Sequence, residues 1–216
     1  LSLEQQKADI ETIRAVRVAA MGPLGGIGDA IFWFTLVPIT AGITSNMAIN
    51  GSLAGPIMFL LIFNIVQFDV EGRRVLDLFG GTGQMGIEAL SRGAARCTFV
   101  DQRRDAAALV RENLKLTGLS QQARVVQGDS ISFLMSCREK FDVIFLDPPY
   151  LTGALEKAVE TVSAFDILRE HGIMVCESPL EQELPALAAP YERGKEYRYG
   201  KIKLTVYRHL GGEDRR

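Results

Sequence analysis

The chain has 216 residues, enough for one domain of ordinary size plus an extra segment, and its net charge of −2 excludes a global basic field that would attract nucleic acid. Its three cysteines, Cys97, Cys137 and Cys176, lie far apart in apolar surroundings. This spacing excludes a disulfide framework and a zinc-ligand pattern, so we expect core thiols and no bound metal.

The first 62 residues differ from the rest of the chain, because they carry almost no charge beyond their polar start. Asp29 is the only charged residue between Arg17 and Asp69, and two apolar blocks span 31–43 and 53–66. A core helix of a soluble domain normally has a charged face, so these blocks predict an apolar α-helical segment of membrane-protein character. The alternative is a buried hairpin in a soluble domain, because each block is shorter than the roughly 20 residues of a simple spanning helix.

Residues 74–90 predict a buried strand, a glycine turn and a helix. Residues 81–86 match the dinucleotide pattern G-x-G-x-x-G, which alone is weak evidence. Asp77 decides between cofactors, because a carboxylate near the end of the first strand repels a pyrophosphate but attracts the ammonium and sulfonium groups of S-adenosylmethionine. The alternative is that Asp77 only holds the loop through hydrogen bonds to backbone N–H groups.

The chain that follows alternates strand and helix patterns and ends in a hairpin. Apolar runs and helical spacing predict strands at 96–101, 123–129, 141–147 and 172–178, and helices at 104–116, 130–137 and 155–168. Residues 192–199 and 201–208 predict an antiparallel hairpin that turns near Gly200. This order is typical of an α/β fold with a mostly parallel sheet covered by helices.

Two more acidic residues follow predicted strands. Asp101 lies 18 residues after Gly83, close to the offset at which an acid binds ribose hydroxyls. Asp129, with Ser130 beside it, is placed to meet the adenine end of a cofactor, because ligands gather at the carboxyl ends of the strands of an open parallel sheet. A single acid in such a position is more often a helix N-cap, but three in series with Asp77 favour a nucleoside cofactor.

The fourth predicted strand ends in Asp147-Pro148-Pro149-Tyr150, a sequence that favours a methyl-accepting site. The two prolines remove backbone donors and stiffen the loop, so its carbonyl groups act as acceptors. Asp147 and the Pro148 carbonyl can accept the two hydrogens of a nucleobase amine and orient its nitrogen towards a methyl group. Tyr150 can stack on that base. The alternative is a rigid turn with an aromatic plug.

Residues 21–34 and 51–60 resemble the signature of component IID of the mannose/fructose/sorbose-type sugar phosphotransferase system. The resemblance covers about residues 1–62 and implies an origin in a membrane subunit that works with component IIC. It spans only a minor part of such a subunit, so independent transport is not expected.

From 63 to 209 the chain resembles class I S-adenosylmethionine-dependent amino-methyltransferases and, more closely, the bacterial 16S ribosomal RNA guanine-N2 methyltransferase family. The motifs that carry this resemblance are 75–94 and 147–150. It implies a Rossmann-like fold and methyl transfer from S-adenosylmethionine to the N2 amine of a guanine in 16S rRNA of the small ribosomal subunit. It implies that Asp147, Pro148, Pro149 and Tyr150 are catalytic, and that these residues bind the cofactor: Asp77, Phe79, Gly80, Gly81, Thr82, Gly83, Asp101, Gln102, Asp129 and Ser130.

These two resemblances imply a fusion of an apolar segment, 1–62, with a cytoplasmic methyltransferase domain, 63–216. The segment replaces the basic N-terminal arm of the methyltransferase family, and residues 69–216 hold 21 Lys and Arg against 22 Asp and Glu. We therefore expect impaired activity and weak attraction to RNA, except at the basic C-terminal hairpin. Three alternatives stay open: a DNA adenine-N6 methyltransferase, a nicotinamide-dependent oxidoreductase, and a membrane sugar phosphotransferase component IID with the methyltransferase as passenger.

Overall fold

The computed structural model describes residue 62 and residues 70–150 and 152–211. The chain divides into two compact units, residues 1–65 and residues 66–216. The apolar blocks lie outside the described residues except for Ile62, so their membrane character and the domain boundary at 62/63 stay predictions. In the part of the chain that is described, no helix is long and apolar enough to cross a membrane.

A seven-stranded mixed sheet organises the second unit. The strand order is β3-β2-β1-β4-β5-β7-β6, in which β1 to β5 are parallel and β7 is antiparallel to both of its neighbours. This arrangement confirms the predicted mostly parallel sheet with a closing antiparallel hairpin. The strands are β1 (Arg74–Asp77), β2 (Arg96–Asp101), β3 (Ala123–Gln127), β4 (Phe141–Leu146), β5 (Leu168–Pro179), β6 (Tyr191–Tyr199) and β7 (Ile202–His209).

In residues 70–211, as far as the structure describes them, four α-helices cover the two faces of this sheet: α1 (Gln84–Ser91), α2 (Arg104–Thr117), α3 (Ser130–Ser136) and α4 (Ala154–Ala164). Side chains alternate between the faces along each strand. Leu76 and Ile144 lie in one buried core with apolar residues of α3 and α4. Phe99 points to the opposite face, where its ring lies against Gly86 of α1.

The central strands β1 and β4 are buried because helices cover both of their faces. All six residues of β4 are buried, including the charged Asp142. Asp142 accepts a hydrogen bond of 2.8 Å from the backbone N–H of Arg74 and forms an ion pair of 3.4 Å with Arg73, so its charge is compensated. The loops that follow β1 and β4 form the candidate site.

The helix predicted at 155–168 is wrong at its carboxyl end, because α4 stops at Ala164 and Leu168 begins β5. Asp166 adopts a φ of 50°, a left-handed conformation that an α-helix of L-residues does not continue through. Leu168 is buried and pairs with Phe141 of β4. The apolar residues after the helix therefore start the fifth strand before the predicted position 172.

Candidate active site

Four acidic residues lie at the carboxyl ends of four adjacent strands. Asp101 ends β2 and Asp77 ends β1, whereas Asp129 and Asp147 come just after β3 and β4. Because the strand order is β3-β2-β1-β4 and these strands are parallel, the four residues follow one edge of the sheet. Open α/β sheets bind ligands at this edge, as the sequence led us to expect.

The glycine turn after β1 adopts the sharp bend that its sequence predicts. Gly81 and Gly83 have φ angles of 50° and 80°, which residues with a Cβ rarely adopt. The N–H of Gly80 donates to the carbonyl of Val100 at 3.0 Å, and the Asn113 side chain donates from Nδ2 to the Thr82 carbonyl at 2.9 Å. Strand β2 and helix α2 therefore hold the turn in place from two sides.

Gly86 allows α1 to lie directly on the sheet. A Cβ at this position would come within 2.2 Å of the Phe99 ring and 2.6 Å of the Cys97 sulfur. The backbone N–H of Gly86 donates to Oδ2 of Asp77 at 3.0 Å. Asp77 thus anchors the first turn of α1, which is the structural role that the sequence left open as its alternative.

The hydrogen bond from Gly86 does not fully compensate the negative charge of ionised Asp77. Its side chain is only 5% exposed, and none of the described residues forms an ion pair with it. Burial raises the pKa of Asp77 from 3.8 to about 7, the Gly86 hydrogen bond opposes this shift, and the negative charge of Asp101 adds to it. A cation bound beside Asp77 would favour its ionised form.

Asp101 connects the glycine turn to the start of α2. Its Oδ2 accepts the N–H of Gly81 at 2.9 Å, and its Oδ1 accepts the N–H of Arg103 at 2.8 Å. An ionised carboxylate has about four acceptor sites, so both oxygens can still accept ribose hydroxyls. Gln102 follows as an exposed residue, whereas Phe79 and Thr82 in the turn are half-buried.

Asp129 and Ser130 both make structural hydrogen bonds at the start of α3. Asp129 is the N-cap, and its Oδ1 accepts the Ser132 N–H at 2.8 Å and the Ser132 hydroxyl at 2.7 Å. These bonds lower the pKa of Asp129. The buried Ser130 hydroxyl donates to the Leu78 carbonyl at 2.9 Å. Their roles towards adenine stay predictions, and the N-cap that the sequence offered as alternative is present.

Asp147 and Tyr150 meet Glu177, a residue to which the sequence assigned no role. The Tyr150 hydroxyl donates to Oε1 of Glu177 at 2.8 Å. Leu146 pairs with Cys176 across the parallel strands β4 and β5, so Asp147 and Glu177 are the next residues along this register. Desolvation and the charges of Glu177 and Asp77 raise the pKa of Asp147, whose side chain is exposed. Because the side chain is exposed, we attribute the raised pKa of Asp147 mainly to the negative charges of Glu177 and Asp77.

A shallow cavity that is open to solvent and encloses no space of its own lies beside this loop. Pro148 is buried under it, whereas Pro149 and Tyr150 are exposed, Tyr150 by 46%. The lining is mostly uncharged and includes one carboxylate: Pro148, Pro149, Tyr150, Thr152, Gly153, Leu155, Glu177 and Gln182. An exposed ring beside backbone acceptors and a carboxylate can hold a planar base with hydrogen-bond donors on its edge.

The residues of the edge fit S-adenosylmethionine better than a dinucleotide. A buried carboxylate without a described ion-pair partner, Asp77, lies where a dinucleotide would place its pyrophosphate. A Cβ built on Gly81 would meet only the Phe79 carbonyl at 3.8 Å, so the turn can be approached closely by a ligand. The donor set offers no metal site, because the described residues contain no cluster of three or more His, Cys, Asp or Glu that could hold an ion.

Two residues of the site were missed by the sequence interpretation. Glu177 lay within a predicted strand, and its position at a carboxyl end, like that of the other acids, was the signal that could have found it. Asn113 is a fully buried polar residue in the middle of α2. The sequence does not distinguish Asn113 from the other polar residues of α2. Its contact with the Thr82 carbonyl depends on tertiary structure, which periodicity does not reveal.

The N-terminal part of the chain matches a second family. Residues 1–91 match the family described as PTS system mannose/fructose/sorbose family IID component. The mannose-specific EIID component of Escherichia coli strain K12 is 43% identical over 107 residues, covering 44% of this chain and 38% of that protein. The resemblance expected from residues 21–34 is confirmed, and the chain spans about two-fifths of the length of this relative.

Solved structures share the fold of the second unit. The yhhF methyltransferase structure from Escherichia coli has a TM-score of 0.67 and 28% identity, covering 71% of this chain and 86% of that chain. A Streptococcus pyogenes protein has a TM-score of 0.64 and 34% identity, covering 69% of this chain and 93% of that chain. The methyltransferase-like fold is thereby confirmed, and so is S-adenosylmethionine, the cofactor that the sequence predicted for this class of enzyme.

Sequence relatives cover the same region. YlbH of Bacillus subtilis strain 168 is 36% identical over 153 residues, covering 69% of this chain and 83% of that protein. Ribosomal RNA small subunit methyltransferase D of Escherichia coli strain K12 is 31% identical over 153 residues, covering 70% and 77%. Residues 60–208 match a family whose description is Conserved hypothetical protein 95. Since this match spans more than half of the sequence, the chain belongs to the Conserved hypothetical protein 95 family.

Proposed function

We propose that this chain transfers a methyl group from S-adenosylmethionine to the exocyclic N2 amine of a guanine in 16S ribosomal RNA. The observation that carries the proposal is the Asp147-Pro148-Pro149-Tyr150 loop, which follows β4 directly beside the glycine turn of β1. Relatives named as ribosomal RNA methyltransferases support the choice of substrate. A ribosomal RNA substrate implies that the methyltransferase part acts in the cytoplasm.

The residues at the carboxyl edge divide into those that hold the cofactor and those that hold the base. S-adenosylmethionine supplies an electrophilic methyl group on a sulfonium centre. Asp77 complements the positive charges of the methionine part, and the turn Gly80–Gly83 lets the backbone approach it. Asp101 accepts ribose hydroxyls, and Asp129 with Ser130 lies at the adenine end. Phe79, Thr82 and Gln102 complete the surroundings.

The amine of guanine is a poor nucleophile, because its lone pair is delocalised into the ring. In this proposal Asp147 and the Pro148 carbonyl accept its two hydrogens, which orients the nitrogen and favours tetrahedral geometry. Pro149 stiffens the loop, and Tyr150 stacks on the base. Asp147 is exposed and can accept the proton that leaves the nitrogen after methyl transfer.

A DNA adenine-N6 methyltransferase would use the same four residues, so assays must separate the two substrates. We expect that the purified chain incorporates labelled methyl groups into small ribosomal subunits that lack the modification. Nuclease digestion and mass spectrometry should then identify N2-methylguanosine, and Asp147→Ala should abolish it. N6-methyladenine formed in duplex DNA, with no product in RNA, would contradict the proposal and favour the alternative.

For residues 1–62 we propose an origin in a sugar phosphotransferase component IID, supported by the family match. The matched ranges 1–91 and 60–208 overlap at residues 60–91. If the segment keeps the properties of its origin, it associates with a membrane or with component IIC. Co-purification of the chain with membranes, lost on deletion of 1–62, is the expected result, and recovery of the whole chain in the membrane-free fraction would contradict it.

A further inference from the structure

Glu177 is placed at the target-base side of the site. It comes one residue after Cys176, which pairs with Leu146, so Glu177 neighbours Asp147 across two parallel strands. The carboxylate accepts the Tyr150 hydroxyl and lines the cavity with Pro148 and Pro149. Two carboxylates from adjacent strands thus stand beside the ring that would stack on the base.

This pair of carboxylates lacks a compensating cation among the described residues, since no described ion pair includes Asp147 or Glu177. Glu177 is half-buried, and the hydrogen bond from Tyr150 uses one of about four acceptor sites of its carboxylate. An acceptor that is partly removed from water, as Glu177 is, is stabilised by hydrogen-bond donors. The site therefore favours a ligand that presents several donors in a row.

The Watson–Crick edges of the purines differ in this respect. Guanine presents its N1–H beside its N2 amine, so neighbouring donors face the protein. Adenine presents its N6 amine beside N1, which carries a lone pair and would face a carboxylate unfavourably. A second carboxylate next to Asp147 consequently discriminates between the two bases through one atom, N1.

We propose that Glu177 selects guanine by accepting the N1–H of the target base while Asp147 accepts a hydrogen of its N2 amine. This inference rests on the proposed function and deepens it, because it assigns the choice of base to one residue. Tyr150 then has two tasks: its ring stacks on the base and its hydroxyl orients the Glu177 carboxylate.

The inference can be tested with 2-aminopurine, which keeps the N2 amine but has a lone pair at N1. The substrate is a synthetic RNA that copies the small-subunit segment methylated by the full chain, with guanine or 2-aminopurine at the methylated position. The wild-type chain should prefer guanine. Glu177→Gln should lower the guanine to 2-aminopurine ratio of kcat/KM on the order of tenfold or more, because its amide can donate to N1 of 2-aminopurine.

Tyr150→Phe is the matched control, because it removes the hydroxyl that orients Glu177 and leaves both the ring and the carboxylate. It should lower kcat/KM for both bases and change their ratio less than Glu177→Gln does. Affinity for S-adenosylhomocysteine should be the same in both variants, which shows that the cofactor edge is intact.

The outcomes separate the inference from the proposed function. Equal losses on both bases in Glu177→Gln would overturn the inference alone and leave Glu177 a structural support of Tyr150. Methylation of a base other than guanine by the wild-type chain would overturn the proposed function and this inference together.

Discussion

At the scale of single residues, Asp77 combines a structural hydrogen bond with an unmet charge. Because burial raises the pKa of Asp77 from its ordinary value of 3.8 to about 7, the ionised form is disfavoured in the folded state. The contribution of protonated Asp77 to the free energy of unfolding is therefore fully present below the unfolded pKa near 4. It is lost as the pH rises through about 7. This rise of the pKa corresponds to at most about 4 kcal/mol of unfolding free energy.

We expect Asp77→Asn to remove this pH dependence, since the amide oxygen can still accept the Gly86 N–H but carries no charge. Without cofactor, the variant should equal the wild type in stability near pH 4 and exceed it near pH 8, as measured by urea unfolding. It should bind S-adenosylhomocysteine at least tenfold more weakly by calorimetry.

Asp129→Asn is the matched control for Asp77→Asn. Asp129 is exposed and its pKa is lowered by the Ser132 hydrogen bonds, so its ionised form is favoured in the folded state. Asn is about as good an N-cap as Asp, and the stability of this variant should change little. A gain near pH 8 in both variants would contradict the assignment of the effect to the buried Asp77.

At the scale of elements, the contact between α1 and β2 depends on Gly86. A Cβ would overlap the Phe99 ring and the Cys97 sulfur, both of which are buried. Gly86→Ala should therefore lower the free energy of unfolding by about 1–3 kcal/mol. Gly128→Ala is the control, because a Cβ there meets nothing within 4 Å, and it should change stability by less than about 0.5 kcal/mol. Equal effects in the two variants would refute this account.

The elements that the sequence predicted correctly are those with a clear local pattern. The strand at 96–101 was predicted to the residue, because its apolar run ends in an acid, and the carboxyl-edge position of Asp77 and Asp101 followed from strand ends alone. The helix end near Asp166 was wrong, because a left-handed turn in a non-glycine residue leaves little trace in periodicity. Asn113 and Glu177 act across elements, which local patterns do not describe.

At the scale of the whole molecule, the distribution of charge determines how strongly the chain binds RNA. The C-terminal stretch 192–216 has eight Lys and Arg against four Asp and Glu, and was the part expected to attract RNA. In the structure, however, Arg193 and Arg198 both form ion pairs with Glu196, and the fully buried Lys203 lies 3.6 Å from it. Half of the six Lys and Arg in residues 191–209 are therefore compensated by a nearby carboxylate.

We accordingly expect that residues 63–216 bind S-adenosylhomocysteine as tightly as the full chain does, whereas both bind 16S rRNA weakly. The affinity for RNA should fall only gently as the salt concentration rises, because few phosphates are neutralised. Each neutralised phosphate contributes about −0.7 to −0.9 to the slope of log affinity against log salt concentration. Calorimetry measures the first quantity, and filter binding over a series of salt concentrations measures the second. Tight RNA binding with a steep salt dependence would contradict this view.

Glu196→Gln tests the cause of the weak binding within the folded chain. The substitution keeps the shape of the side chain but removes the Glu196 charge, which pairs with Arg193, Arg198 and Lys203; Glu183 still lies near Arg193 and Lys203. The affinity for 16S rRNA should rise, and the salt slope should steepen by about one, since one more positive charge becomes available to phosphate. Binding of S-adenosylhomocysteine should not change, because Glu196 lies on β6 at the far end of the sheet from β1. An unchanged salt slope would mean that the hairpin does not contact the RNA.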